Sequence, residues 1–279
     1  MSPFQALWLA ALQGFSELFP ISSLGHTVII PKLVGWNVDQ QSPSFVPFVV
    51  VLHLGTAAAL LLFFWRDWLT ILSALLRSVA RGKLSGDPDE HLGWMLVVGT
   101  IPTGILGFFL ESKLKALFAS PIIAAAFLIV NGFILFGGER LRRSSGPASR
   151  ELGSLKWQTA ALIGLAQSAA LIPGISRSGS TIVAGLLARL NHEDAARFSF
   201  LLATPIIGAA GLLEVPVLLS AQGRSMLGVS IIGGLAAGVT AWLSVKFLMR
   251  YFEFGRLDPF AYYCWGFGAL ALALLIGRR

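Results

Sequence analysis

Of 279 residues, 55% are hydrophobic and 13% charged, more apolar side chain than a single water-facing core can use. The formal charge of +7 sits on Lys and Arg in short loops between apolar runs, which fits the positive-inside rule and excludes a nucleic-acid-binding face. Cys264 is the only cysteine, so an intrachain disulfide, a thiolate metal site and dithiol redox chemistry are excluded.

The chain opens without a basic leader or a small-residue cleavage site, and Met1 to Ala11 reads as mature structure. Phe4 to Val34 is apolar but interrupted by proline, glycine, serine and ionisable residues around GFSELFPISSLGH. Irregular backbone at membrane depth survives only where protein or a wet cavity covers it, so this stretch reads as a re-entrant pair of half-helices. Ser44 to Trp65 is then long enough to cross a hydrocarbon core of about 20 residues. Its His53 reads as a hydrogen-bonded core histidine rather than a ligand. Trp68 to Val79 is shorter and ends in a basic loop, as a half-span or an interfacial helix does. Two further spans follow, His91 to Leu110 and Pro121 to Gly138.

Trp157 to Leu190 repeats the broken pattern around GLAQSAALIPGISRSGST and reads as a second re-entrant pair. Phe198 to Leu219, Met226 to Met249 and Pro259 to Ile276 bring the expected full spans to six. Glu214 faces either a cavity or a loop arginine. Gly234 and Gly238 form a small-xxx-small pair suited to helix packing.

The two broken stretches match each other: Gly14, Glu17, Pro20, Ser22 and Gly25 align with Gly164, Gln167, Pro173, Ser176 and Gly179. The expectation is an all-α polytopic membrane protein forming one domain over 1–279, with one repeat over about 1–140 and another over about 157–279. An odd number of spans per half makes this an inverted-topology repeat, a design that places its site where the broken elements meet. Arg66, Arg77, Arg81, Lys83, Arg140, Arg142, Arg143, Arg150, Lys156, Arg250 and Arg256 then share the cytoplasmic side. Both termini fall outside, with Lys113, Lys115 and Arg224; the terminal Arg278 and Arg279 run against that orientation.

Glu17, His26 and Arg177 are ionisable residues at predicted membrane depth, each costing about 2.5–3.5 kcal/mol on insertion scales when charged at a helix centre without a partner. Their occurrence in the two matching segments points to one shared cavity. Gln13 lies four residues before Glu17, so on a helix the pair presents an amide and a carboxylate to one ligand or metal, or Gln13 bonds Glu17 or backbone. Ser22, Ser23, Gly25 and His26 supply hydroxyls, close approach and an imidazole at a helix start, an anion-binding composition. Gly174, Ser176, Arg177, Ser178, Gly179 and Thr181 repeat it and add a guanidinium that grips phosphate oxygens in a fork. Together these groups fit phosphoryl transfer. Nucleophilic attack is open to Ser23, to His26 or to water, with Ser23 favoured as a hydroxyl beside an imidazole.

Through QGFSE, PISSLGH, PGISRSGST and the RFSFLLATP run at Arg197 to Pro205, with GTIP at Gly99 to Pro102 and LHLGTAAALLLFFWRD from Leu52, the chain resembles the BacA-type undecaprenyl-diphosphate phosphatases over nearly its whole length. The resemblance implies a multi-pass enzyme of the bacterial plasma (inner) membrane. Such an enzyme cleaves the polyprenyl diphosphate lipid to undecaprenyl phosphate and orthophosphate, which sustains cell-wall synthesis and resists bacitracin. It also implies a divalent cation, Mg2+ or Ca2+, with Gln13 and Glu17 as metal residues, although many members carry glutamate where this chain has Gln13. Glu17, Ser23, His26 and Arg177 inherit catalytic roles, and Ser22, Ser176, Ser178 and Thr181 phosphate contacts. Membrane lipids are the expected surroundings, and a homodimer is left open. A transporter or flippase of a polyprenyl phosphate is the alternative, since inverted repeats with broken helices are also carrier architecture.

Overall fold

The computed structural model describes residues 2–36, 38, 45–117, 120–146, 148, 150–218 and 221–278, without the side chains of 46, 111–117, 212–218 and 221–226. Ser44 and Leu219, outer ends of two predicted spans, lie outside the described residues, as do the side chains of Lys113, Lys115, Glu214 and Arg224. All regular structure among the described residues is helical. The first half holds α1 (Pro3–Leu18), α2 (Ser23–Leu33), α3 (Phe45–Phe63), α4 (Trp65–Arg81), α5 (Pro88–Leu117) and α6 (Pro121–Ser144). The second holds α7 (Trp157–Gln167), α8 (Arg177–Leu187), α9 (His192–Leu218), α10 (Ala221–Phe252) and α11 (Asp258–Gly277).

Local chemistry sets the breaks. Ser2 and Gln5 cap α1 reciprocally, each side chain accepting from the other's backbone N–H, with Pro3 just inside the start. Pro20 has no N–H to continue the ladder, and Ser22 turns the chain with a φ of 66° before capping α2 through Gly25 N at 3.2 Å. The second break uses the same parts differently. A short 3-10 turn, Ser168–Leu171, leads to Pro173 and to Gly174 at φ 100°, and Ser176 caps α8 through Gly179 N at 3.1 Å.

Among the described residues, four helical segments are long and apolar enough to cross a membrane: Pro88–Leu110, Pro121–Ser144, Leu227–Phe252 and Asp258–Gly277. The pair Pro47–Phe63 and Trp65–Arg81 passes the same test jointly, bent by 84°. After that bend α4 lies amphipathic, burying Ile71, Ala74 and Ser78 while exposing Leu69, Leu72, Leu76 and Val79. Arg197 of α9 pairs with Asp67, and Trp94 of α5 donates to Ser78 at 2.8 Å, which fix α4 against the bundle.

Glycines let the broken pairs dock. α1 lies along α10, and α7 along α5. A Cβ on Gly14 would overlap the Ala237 carbonyl, and one on Gly164 would overlap the Gly99 carbonyl. The glycine pair matched between the halves thus performs the same task in each, bringing two backbones within direct contact.

Alanine is the better helix former by about 0.5–1 kcal/mol, yet Gly14→Ala and Gly164→Ala should each lower the melting temperature in detergent. The overlap costs about 1–3 kcal/mol. Gly104→Ala, where no atom lies within 4 Å of the new carbon, should be neutral or stabilising. Equal melting points for all three would remove the close-approach account.

Candidate active site

The two breaks meet. Phe19 O, at the end of α1, accepts from Ser178 Oγ at 3.1 Å and Ser176 Oγ at 3.4 Å, both from the start of α8. Asn131 of α6 bridges them as well: its amide donates to Pro20 O at 2.9 Å and its oxygen accepts from Ser176 N at 2.9 Å. Asn131 is fully buried and was not singled out by sequence patterning. Both amide groups of its side chain are needed, because buried backbone donors and acceptors go unpaired only at a cost. With the turns held together, the first residues of α2 and α8 open onto one cavity, and neither helical ladder offers an acceptor for its first N–H groups.

Glu17, on the last turn of α1, is the hub. Its Oε1 accepts from Arg177 Nη2 at 3.3 Å and Nε at 3.4 Å. Its Oε2 accepts from Ser23 Oγ, from Gln13 Nε2 at 3.3 Å and from His53 Nε2 at 3.2 Å. A carboxylate this buried stays ionised only with such partners. Arg177 completes its reach through Nη1 to Ser199 O at 3.3 Å. Gln13 is oriented from behind by Thr56, whose hydroxyl donates to its oxygen at 3.3 Å.

Of the residues expected at the site, Glu17, Ser22, Ser23, Ser176 and Arg177 line the cavity. Gly25 and Gly174 face each other at the meeting turns: a Cβ on Gly25 would stand 3.2 Å from Gly174 Cα. Gly179 receives the Ser176 cap. Ser178 bonds Phe19 O, and Thr181 contacts Ser199 Oγ at 2.6 Å, so both serve the frame of the turn. His26 points away from the cavity. Its Nδ1 meets Ser22 O at 2.7 Å, its Nε2 meets the Tyr263 hydroxyl at 2.8 Å, and its ring stacks on Tyr263 and Phe267. His53, read from sequence as a core histidine, instead lines the cavity and touches Glu17. Gln167, the counterpart of Glu17 in the second half, donates to Thr103 at 3.1 Å while its buried oxygen lacks a partner.

The cavity measures about 600 Å³. Away from the polar cluster its walls are Phe45, Val49, Val50, Leu171, Ile206, Ile207 and Ala210. It joins a charged cluster to apolar walls in one space, fit for a ligand with an anionic head and a hydrocarbon tail.

A resident divalent cation does not fit this donor set. Both oxygens of Glu17 are occupied by hydrogen donors, two of them from Arg177, and Gln13 turns its NH2 toward Glu17 and its oxygen toward Thr56. Among the described residues no cluster of three or more His, Cys, Asp or Glu could hold a metal.

The family model described as "Bacitracin resistance protein BacA" matches residues 6–270. The chain is 52% identical over 282 residues to undecaprenyl-diphosphatase of Acidiphilium cryptum (strain JF-5), covering 99% of each. It is 46% identical to undecaprenyl-diphosphatase 2 of Chromobacterium violaceum, over 98% of each. The undecaprenyl-diphosphatase of Mycolicibacterium paratuberculosis is likewise 46% identical, over 100% of this chain and 99% of the relative.

Asn131→Leu keeps the volume of Asn131 roughly constant but strands Pro20 O and Ser176 N, at about 1–3 kcal/mol for each buried orphan. Its melting temperature in detergent should fall clearly. Asn131→Asp keeps the acceptor for Ser176 N yet sets a carboxylate against Pro20 O, and should be no better. Wild-type stability in both variants would show that Asn131 does not tie the turns.

Proposed function

The chain belongs to the bacitracin resistance protein BacA family, and on that premise we propose that it is an undecaprenyl-diphosphatase, hydrolysing undecaprenyl diphosphate to undecaprenyl phosphate and orthophosphate. One observation carries this reading: a serine hydroxyl bonded to a buried carboxylate, with an arginine alongside, in the wall of a largely apolar cavity. The diphosphate meets Arg177 and the openings of α2 and α8, and the prenyl chain lies along Val49, Val50, Ile206 and Ile207.

In this reading Ser23 attacks the terminal phosphorus and its proton passes to Glu17 Oε2, the atom it already faces. The bond from that phosphorus to the bridging oxygen breaks and the polyprenyl phosphate leaves. Water then cleaves the phosphoserine, releasing orthophosphate, and Glu17 returns its proton to Ser23. Arg177 stabilises charge on the transferred group. His26 holds the Ser22 carbonyl and hence the turn that aims Ser23. A carrier of polyprenyl phosphate needs the arginine clamp but gains nothing from a hydroxyl on a carboxylate.

The protein is a multi-pass membrane protein. We place it in the bacterial inner membrane, with α1–α2 and α7–α8 as re-entrant pairs and six spans in two inverted halves. The matched glycines and capping serines of the two pairs support that reading. Ser120 and Ser145 flank α6. A cysteine at position 145 should be labelled only from the cytoplasm, and one at 120 only from outside. Labelling of both from one face would end the inverted arrangement.

Purified protein in detergent should release phosphate from polyprenyl diphosphate. Ser23→Ala should retain substrate binding and lose about 10²-fold or more in kcat. Arg177→Lys should fail similarly, because a point charge does not reproduce the fork. Glu17→Gln should lose kcat without raising KM, since the carboxylate competes with phosphate for Arg177. Near-normal turnover by Ser23→Ala would exclude the serine route.

A further inference from the structure

Gln167 ends α7 at 1% exposure and lines the cavity together with Ser23 and Arg177. The direction of its amide is fixed by Thr103. That hydroxyl has a single hydrogen, given to Gly164 O at 2.7 Å, so it receives the Gln167 NH2 at 3.1 Å and does not serve the Gln167 oxygen. Gln167 Oε1 is left buried and, among the described residues, without a donor. The donors that share the cavity are engaged elsewhere: Arg177 on Glu17 and Ser199 O, Ser23 on Glu17, and His53 on Glu17 and Val49 O. A buried acceptor without a donor weakens a fold, and one in the wall of a ligand cavity is accounted for by a hydrogen that the reaction brings.

We propose that Gln167 Oε1 holds the water that hydrolyses the phosphoserine. The inference rests on the diphosphatase reading and deepens it. Once the polyprenyl phosphate has left, the phosphoserine is mainly a dianion at neutral pH and presents lone pairs, which a carbonyl oxygen repels. The proton on Glu17 is bound for Ser23, so water is the donor that remains. Its hydrogen on Gln167 Oε1 turns a water lone pair toward phosphorus. The water oxygen bonds phosphorus as the bond to Ser23 Oγ breaks, and the Glu17 proton goes to Ser23 Oγ. One water hydrogen stays on the new hydroxyl, the other passes to a phosphate oxygen, and orthophosphate leaves as its monoanion. Nothing beyond substrate and water is consumed.

Phosphoryl transfer through a loose transition state asks for a placed nucleophile more than for a strong base, so an amide suffices. The match between the two broken stretches then has a chemical sense. Three residues after the matched glycines, Glu17 takes the hydrogen of the first nucleophile and Gln167 that of the second. A carboxylate at 167 would add negative charge to a cavity that receives a diphosphate, and among the described residues no second guanidinium lines that cavity to offset it.

The test is rapid quench with polyprenyl diphosphate radiolabelled in its terminal phosphate, using full-length wild type and Gln167→Met in detergent. Methionine is unbranched, adapts to the same space and removes the orphaned oxygen along with the amide. Gln167→Met should release about one polyprenyl phosphate per enzyme in a burst and hold the label as acid-stable phosphoserine, which is lost when Ser23→Ala is added. Its kcat and KM should fall together by about 10²-fold with kcat/KM unchanged, because only a step after the departure of polyprenyl phosphate is slowed. Its melting temperature should rise by about 2–4 °C, since a buried acceptor without a donor is gone. A glutamine that merely holds the fold gives the reverse, a lower melting temperature and no trapped label. Turnover without a burst, a kcat/KM that falls with kcat, a label that survives Ser23→Ala, or melting below wild type overturns the assignment. A wild type that releases no phosphate takes down the diphosphatase reading as well, whereas wild-type release with no label trapped on Gln167→Met takes down only the water site.

Discussion

Everything at the site depends on how two interrupted helix pairs satisfy their own broken backbone. A chain reversal in a buried setting exposes carbonyl and N–H groups that no helix ladder accepts, and each orphan costs about 1–3 kcal/mol. Here the reversals solve each other's problem. Phe19 O takes the hydroxyls of Ser176 and Ser178, and Asn131 closes Pro20 O and Ser176 N. One consequence is stability, and the other is position: a pairing that satisfies both turns also brings the starts of α2 and α8 to a common point. The anion-binding polarity of two helix N-termini is therefore a by-product of meeting the backbone's hydrogen-bond demand.

Charge then follows geometry. Glu17 alone in this recess would be prohibitive, and Arg177 alone equally so. One carboxylate against one guanidinium leaves the recess without net negative charge while Arg177 and Ser23 still point donors at it, which suits a diphosphate. The apolar walls sharpen the effect, because low polarity around the cluster strengthens each interaction inside it.

Much of this was legible in the chain itself. The two breaks and the convergence of Glu17 with Arg177 follow from PISSLGH and PGISRSGST, since ionisable and turn-forming residues in apolar stretches have few other uses. The helix that carries His53 was also located, but the ring's place at the cavity beside Glu17 was not. Every face of α3 is apolar enough to be buried, so no periodicity identifies the face that meets the cavity. The usable signal was the pair: His53 and Thr56 are three apart and share a face, and both reach the Gln13–Glu17 turn of α1. His26 misled for a related reason. It follows Ser22 by four residues, so the helix that begins there carries its ring back over the Ser22 carbonyl and toward α11 rather than into the cavity. Asn131 gave no sign, because a lone amide in an apolar helix looks the same whether it bridges two turns or bonds its own backbone.

In the proposed route, the free arrangement lets one carboxylate serve as both anchor and base. With five donors on its two oxygens, Glu17 is a weak proton acceptor, and Ser23 is hydrogen-bonded rather than activated. A diphosphate changes the balance because it brings more negative charge than the carboxylate it competes with. As Arg177 turns from Glu17 Oε1 to phosphate oxygens, the carboxylate loses its strongest partner and its basicity rises. The substrate's own charge thus converts a structural ion pair into a base beside a nucleophile. On the same proposal an uncharged lipid leaves the pair closed and Ser23 idle, which puts discrimination in the competition for Arg177 rather than in the shape of the apolar walls.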